Sequence, residues 1–494
     1  MAGNILLNII VASFVLGVII VLHELGHFLV AKFFKIKVET FSVGFGPRLI
    51  GFRRGDTDYR ISAFPLGGYV KMAGETPSDT ITGEAYEFLS KPKWQRFLVA
   101  AAGPAMNALL AIGLITGLYI YGTEVPEFLV GQVVIGIIEP GSPAEKAGLK
   151  PGDQIVSFEG KNKPDWQDVQ TAILTSPGRA LSLVVERAGQ RMNFTVTPQR
   201  KGREEAGDVG MEPVTRNVIR SVEPNSPAKV AGIRPGDEII RVNGIDLRTG
   251  GRRIQEIIQT VPEKTFPITV LRSDKPPPVS QAPAAPRPGF FVSIWQRLIG
   301  VSKTDTAADV TASSLGNAAS TTPEHRTPVD LQVSPRFKDG RKMIGVAFFF
   351  PTIQIKLGPR DAFMKSLETN KENAVLIFQV IGRLIKREAS LKQLDGPVGI
   401  VAVSGQAYEA GFTTLLTFMA LISLNLGVLN ILPIPILDGG VILMLLVEAV
   451  MGRDLSLRIK ERIVQASFVF LLMLTVVVLY NDVVKLLPPS QPAP

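Results

Sequence analysis

The sequence predicts a multi-pass α-helical membrane protein of about four spans, with a membrane-associated β-hairpin or small sheet and two α+β domains in a soluble region. Three observations predict it. Apolar stretches lie within residues 1–34, 97–121, 411–450 and 463–482, and a helix needs roughly 20 apolar residues to cross a hydrocarbon core about 30 Å thick. Basic residues crowd beside them: Lys32, Lys35 and Lys37 after the first, Lys91, Lys93 and Arg96 before the second, and Arg453, Arg458, Lys460 and Arg462 between the last two. A long motif that begins at Val134 begins again, without a gap, at Val218, the mark of a duplicated small domain.

Composition agrees with this reading. A chain of 494 residues exceeds one ordinary domain, and 46% hydrophobic residues with a mean hydropathy of +0.24 suit membrane helices joined to sizeable soluble parts. A net charge of +9 would suggest nucleic acid in a soluble protein. Here the cations sit at span ends, where they set orientation in the lipid bilayer, and no nucleic-acid partner is expected. The absence of cysteine excludes disulfides, thiolate ligands and a cysteine nucleophile, so any metal must rely on His, Asp or Glu. Residues 1–22 lack a basic leading segment and do not read as a cleavable signal peptide. Because Lys32, Lys35 and Lys37 follow the first apolar run, the positive-inside rule puts the N-terminus outside, the Lys35 end in the cytoplasm and, after four spans, the C-terminus outside.

Inside the first span, residues 1–34, stands His23-Glu24-Leu25-Gly26-His27. Histidines at i and i+4 share one helical face, so both imidazoles can bind one Zn²⁺, with Glu24 placed to take a proton from a metal-bound water. A chance match is the dull alternative. Against it, the chain has only three histidines, two of them here, and ionisable groups at membrane depth are costly enough to be functional by default.

Residues 35–96 form a cytoplasmic-side region expected to hold short strands punctuated by Gly44-Phe45-Gly46-Pro47, Arg53-Arg54-Gly55-Asp56 and Pro65-Leu66-Gly67-Gly68. An open sheet edge there can accept an extended peptide as an added strand. After the second span at 97–121, the repeated motif runs through Pro140-Gly141-Ser142-Pro143-Ala144 to Pro151-Gly152-Asp153, and again from Pro224-Asn225-Ser226-Pro227-Ala228 to Pro235-Gly236-Asp237. The pattern resembles a tandem of PDZ domains of the circularly permuted bacterial kind, at 127–200 and 210–350. In the second copy, Ile268–Arg272 is expected to pair with Val329–Val333 across a Pro/Ala/Ser/Thr-rich insertion, about 273–328, expected to be disordered. The one apolar piece of this insertion, Phe290-Phe291-Val292-Ser293-Ile294-Trp295, could meet lipid or a partner, or be an unremarkable loop segment. A juxtamembrane helical region follows at 360–410.

The third apolar region, 411–450, is not a plain span. It contains Asn425, Asn430, Pro433, Pro435 and Asp438, and prolines that break a helix in a bilayer are tolerated only where protein or a water-filled cavity surrounds them. A catalytic zinc usually has three protein ligands and an open position, and Asp438, an acid at membrane depth on the cytoplasmic level assigned to His27, is the candidate third ligand. Alternatively, Asp438 caps the helix after the break. Glu39 and Glu448 have less unusual settings. Asn430 and Asn425 could hold a tetrahedral oxyanion or a substrate backbone, or merely satisfy the broken helix.

Together, the His23-Glu24-x-x-His27 span, Asn430-x-x-Pro433-x-Pro435-x-x-Asp438-Gly439, Gly44-x-Gly46 and the paired PDZ-like domains resemble the site-2 intramembrane zinc metalloproteases of the regulator-of-sigma-E type. The resemblance implies one Zn²⁺ per chain on His23, His27 and Asp438, with Glu24 as general base. It also implies Asn430 at the substrate backbone and a strand-addition edge at Gly67, Gly68, Tyr69 and Val70, with Asn425, Pro433 and Pro435 shaping the same site. Substrates would be spans of already truncated membrane proteins, such as anti-sigma factors, and remnant signal peptides. The protein would lie in the bacterial inner membrane with its PDZ domains periplasmic and open to peptide C-termini. The insertion departs from the family pattern. A PDZ-based membrane scaffold with a non-catalytic zinc site is the alternative, although the presence of Glu24 favours the enzyme.

Overall fold

A computed structural model describes residues 2–75, 82–201, 205–248, 253–273, 326–338, 341–349, 351–386 and 396–486. The chain forms two units: Met1–Tyr121, Gly358–Gly382 and Leu394–Pro494 make the first, Gly122–Leu357 and Arg383–Gln393 the second. The insertion expected at 273–328, including Phe290–Trp295, lies outside the described residues except at its two ends.

The first unit is helical. Its helices are α1 (Ala2–Phe33), α2 (Lys93–Tyr121), α3 (Pro359–Ile385, which begins in this unit), α4 (Pro397–Glu409), α5 (Phe412–Ile431), α6 (Asp438–Met451) and α7 (Leu457–Leu486). Among the described residues, four helical segments are long and apolar enough to cross a membrane: Ile5–Phe33, Lys93–Tyr121, Phe412–Ile431 and Arg458–Asp482. The second begins at Lys93, ahead of the expected residue 97, because Arg96 is buried in the first turn beside Glu448. The third apolar region is two helices, α5 and α6. Leu432, which precedes Pro433, is extended with φ −58° and ψ 144°, as the proline ring requires of its predecessor. Helices α1 and α2 touch backbone to backbone, since a Cβ on Gly26 would overlap the Ala102 carbonyl. At Gly396-Pro397-Val398-Gly399 the start of α4 is capped from α7, where the buried Asp482 carboxylate accepts from the amides of Gly396, Val398 and Gly399.

Between α1 and α2 lies a β-sheet of two long, bulged strands, β1 (Val38–Arg54) and β2 (Thr57–Met72), joined at Gly55-Asp56. Each strand folds back on itself. Residues 38–43 pair with 68–72 on one side, as in Phe41↔Val70 and Val43↔Gly68, and with 58–61 on the other; 58–61 pair in turn with 50–53. The 68–72 segment is therefore an edge. Gly44 and Gly46, at φ 93° and 87°, allow the bend in β1, so these glycines mark a fold within one strand and not a turn between short strands. Ile36, Val38 and Met72 bury the base of the sheet against Ala31 and Val99, and Phe28 of α1 packs edge-on against Phe41 and Tyr59.

In the second unit the sequence repeat is also a structural repeat. Each copy has its own core, one with Ile135, Ile155, Trp166, Val169, Leu181 and Val185, the other with Ile219, Ile239, Ile257, Phe266, Ile268 and Val270. Ser142 and Ser226 cap matching short helices. Arg187 donates two hydrogen bonds to buried Asp153, at 2.6 and 2.7 Å, and one to the Gly148 carbonyl; Arg272 does the same to Asp237, at 2.9 and 2.7 Å, and to Gly232. Burying an aspartate is favourable only with such charged, hydrogen-bonded partners, which explains why the two Gly-Asp turns recur. Phe266–Ser273 pairs with Arg326–Val333 in register Val270↔Val329, so the strands expected on either side of the insertion are neighbours. The incoming strand Thr123–Pro126 and the outgoing strand Thr352–Ile355 pair antiparallel, Thr123↔Ile355 to Pro126↔Thr352.

Candidate metal-dependent active site

The two histidines of α1 meet Asp438, the first residue of α6. His23 Nε2 lies 3.2 Å from His27 Nε2 and 3.2 Å from Asp438 Oδ2, and His27 Nε2 lies 3.4 Å from Asp438 Oδ1. Both histidines are buried. Asp438 reaches this position because the chain doubles back tightly after the prolines. A Cβ on Gly439 would overlap the Ile431 carbonyl, and one on Gly440 would overlap the Pro435 backbone.

The surroundings suit a cation. His27 Nδ1 is 2.8 Å from the Val99 carbonyl, which can only accept, so the neutral ring keeps its proton on Nδ1 and turns the Nε2 lone pair toward His23 Nε2 and Asp438. Atoms bound tetrahedrally to one Zn²⁺ at about 2.0–2.1 Å stand about 3.3 Å apart, close to the 3.2–3.4 Å found among these three side chains. Gly103 of α2 keeps the space clear: a Cβ there would lie 2.7 Å from His23 Nε2 and overlap His27 Nε2. The donor set and the cradle therefore fit zinc.

Glu24 faces the sheet edge. Its Oε2 accepts a hydrogen bond from the Val70 amide at 3.1 Å, and the Cβ position of Gly68 is 3.7 Å from its Cγ. The Val70 amide, on the expected strand-addition edge, is thus held by the Glu24 carboxylate in this structure. Gly67 has φ 139° beside the Phe45 ring, while the Tyr69 ring stacks on Phe45 and lies under Arg60. Asn430 belongs to the site, with its Nδ2 3.3 Å from His23 Nε2. Asn425 lies more than a turn earlier on another face of α5, and Pro433 and Pro435 lie in the α5–α6 connection.

Three contributors were not anticipated: the Val99 carbonyl, Gly103, and Asn107, whose side-chain amide lies 3.2 Å from His23 Nδ1. The only signals for them were a glycine and a lone asparagine within an apolar span. Glu448 is more unusual than its sequence setting suggested. It is fully buried, with Lys460 Nζ at 2.6 Å and Arg96 at 3.9 Å. Glu39 pairs with Lys71 at the surface.

A His-Glu-x-x-His helix completed by an aspartate from a second apolar helix defines a membrane metallopeptidase type of site. The profile of Peptidase family M50 matches residues 11–474. The chain belongs to that family and is a zinc metalloprotease. It is similar over nearly its whole length to the regulator of sigma E protease of Haemophilus influenzae, 30% identical over 488 residues that cover 95% of this chain and 97% of the relative. The regulator of sigma-E protease RseP of Escherichia coli is 28% identical over 492 residues, 96% and 98% of the two chains. A putative zinc metalloprotease of Treponema pallidum is 29% identical over 502 residues, 97% and 99% of the two.

Proposed function

We propose that the protein is an intramembrane endopeptidase of the bacterial inner membrane. It cuts the membrane spans of single-span proteins already shortened by another protease, anti-sigma factors and remnant signal peptides among them. The observation that carries this reading is the convergence of His23, His27 and Asp438 on apolar helices, with Glu24 set between them and an open strand edge. One Zn²⁺ per chain, held by His23, His27 and Asp438, would polarise the scissile carbonyl and acidify a bound water. Glu24 would accept a proton from the attacking water and return it to the leaving amine.

A helical substrate must unwind first, because its carbonyls are tied into i to i−4 hydrogen bonds and exposed backbone is costly in hydrocarbon. Outward-facing backbone alternates along an edge strand. The Val70 amide points outward, so Gly68 and Val70 are the positions that pair with an unwound substrate, while Gly67 and Tyr69 set the strand's course. A substrate carbonyl arriving at Val70 replaces Glu24 there and frees the carboxylate for the water. Asn430 holds the substrate backbone on the opposite side; Asn425, Pro433 and Pro435 shape the wall from which it projects.

The two repeated modules are read as periplasmic PDZ domains that admit truncated substrates or bind their new C-termini, with both chain termini periplasmic and the metal toward the cytoplasmic side. The test is incubation of purified protein with a panel of truncated single-span proteins beside a Glu24→Gln control. Cleavage by the parent, with full zinc but no cleavage in Glu24→Gln, is expected. Equal cleavage by both would overturn the mechanism; zinc without cleavage in either would favour the scaffold.

A further inference from the structure

We infer that Asn107 is a positioning residue of this site: its amide oxygen accepts the Nδ1 proton of His23 and so holds that ring with Nε2 bare toward the metal. The inference rests on the metalloprotease reading above.

Asn107 is one turn beyond Gly103 on α2 and is fully buried. Its side-chain amide nitrogen lies 3.2 Å from His23 Nδ1, and its Oδ1 is buried without a hydrogen-bond partner. The two ends of a carboxamide are nearly indistinguishable by shape, and the hydrogen-bond network decides which way the group points. With nitrogen toward Nδ1, His23 must carry its proton on Nε2, aimed into the space between His27 and Asp438 where a ligand lone pair is needed. With oxygen toward Nδ1, His23 takes the same neutral tautomer that the Val99 carbonyl favours for His27, with the Nε2 lone pair turned toward Asp438. Each histidine then has one acceptor from α2: a backbone carbonyl for His27, a side-chain amide for His23. The Asn107 backbone is fixed independently, because the Ser423 hydroxyl of α5 donates to its carbonyl at 2.9 Å. The side chain is thus held at its distance from His23 by packing on both neighbouring spans.

The experiment measures zinc affinity by chelator competition on the full-length protein in detergent, together with the visible spectrum of the Co²⁺-loaded form. Asn107→Leu keeps the volume and removes the acceptor; Asn107→Asp keeps an acceptor; Ser423→Ala disturbs the same helix contact without touching the amide. Loss of an outer-shell partner typically lowers metal affinity by about 10–100-fold. That loss, with an altered Co²⁺ spectrum, is expected for Asn107→Leu, while Asn107→Asp and Ser423→Ala stay within a few-fold of the parent. Parent-like affinity in Asn107→Leu overturns the inference, as does an equal loss in Ser423→Ala, which would make the effect one of packing. A parent protein that binds no zinc would instead strike at the metalloprotease reading itself.

Discussion

One added carbon at position 103 would occupy the space that both histidine Nε2 atoms face. Gly103→Ala should therefore lower bound zinc and proteolysis together, read by metal analysis of the purified protein, while the spans still fold. Full zinc in that variant would show that the cradle is not where the ion sits. The histidines and Glu24 were legible in the sequence because their geometry is local: four residues on a helix is one turn, whatever surrounds it. Asp438 was legible because an acid after two prolines in hydrocarbon has few other reasons to be there. Val99, Gly103 and Asn107 were not legible. Their role depends on which face of α2 meets α1, and that is set by packing across the Gly26–Ala102 contact, which no short motif encodes.

Among the elements, the sheet edge is the one on which the proposed strand addition depends. Proline at Val70 removes the amide that donates to Glu24 Oε2 and that an added strand would use. Val70→Pro should cut proteolysis by about tenfold or more, a loss of order one hydrogen bond to a charged group, with zinc content unchanged. Unimpaired cleavage would remove Val70 from the substrate path. Glycine punctuation at Gly44-x-Gly46 and Gly67-Gly68 announced a sheet but suggested several short strands; the bulges that let two long strands fold back depend on pairing across the whole element.

A second prediction belongs to the helix Trp166–Thr175, whose N-terminus is closed by Asp165 and Asp168 hydrogen-bonding each other's amides. Burial, with the charge of Asp168 beside it, raises the Asp165 carboxyl from 3.8 to about 7. The folded module thus holds a proton that the unfolded chain has already released. Stability from this group is full below about pH 4 and is lost as pH rises through about 7. The thermal midpoint of the second unit should fall between about pH 5 and pH 8, and Asp165→Asn, which keeps a capping side chain, should flatten that slope. An identical slope in both proteins would contradict the assignment.

For the whole molecule, the paired strands Thr123–Pro126 and Thr352–Ile355 bring the two ends of residues 127–351, most of the second unit, together on one two-stranded ribbon. Replacing Glu127–Pro351 with a two-residue Asn-Gly turn should leave a zinc-binding protease that also cuts untruncated membrane proteins; unchanged discrimination in the folded variant would argue against a sieve. The duplication was plain from the sequence. The strands that complete each copy were not, since Met211–Pro213 and Val346–Phe349 pair with Ile135–Ile138 and Val218–Val222 at the far end of their own modules. The same chain order governs synthesis. His23 and His27 emerge from the ribosome long before Asp438, with the whole inserted unit made between them. A nascent or prematurely terminated chain therefore carries an incomplete His-His-Asp cluster, which is completed only about a ninth of the chain before the end of translation.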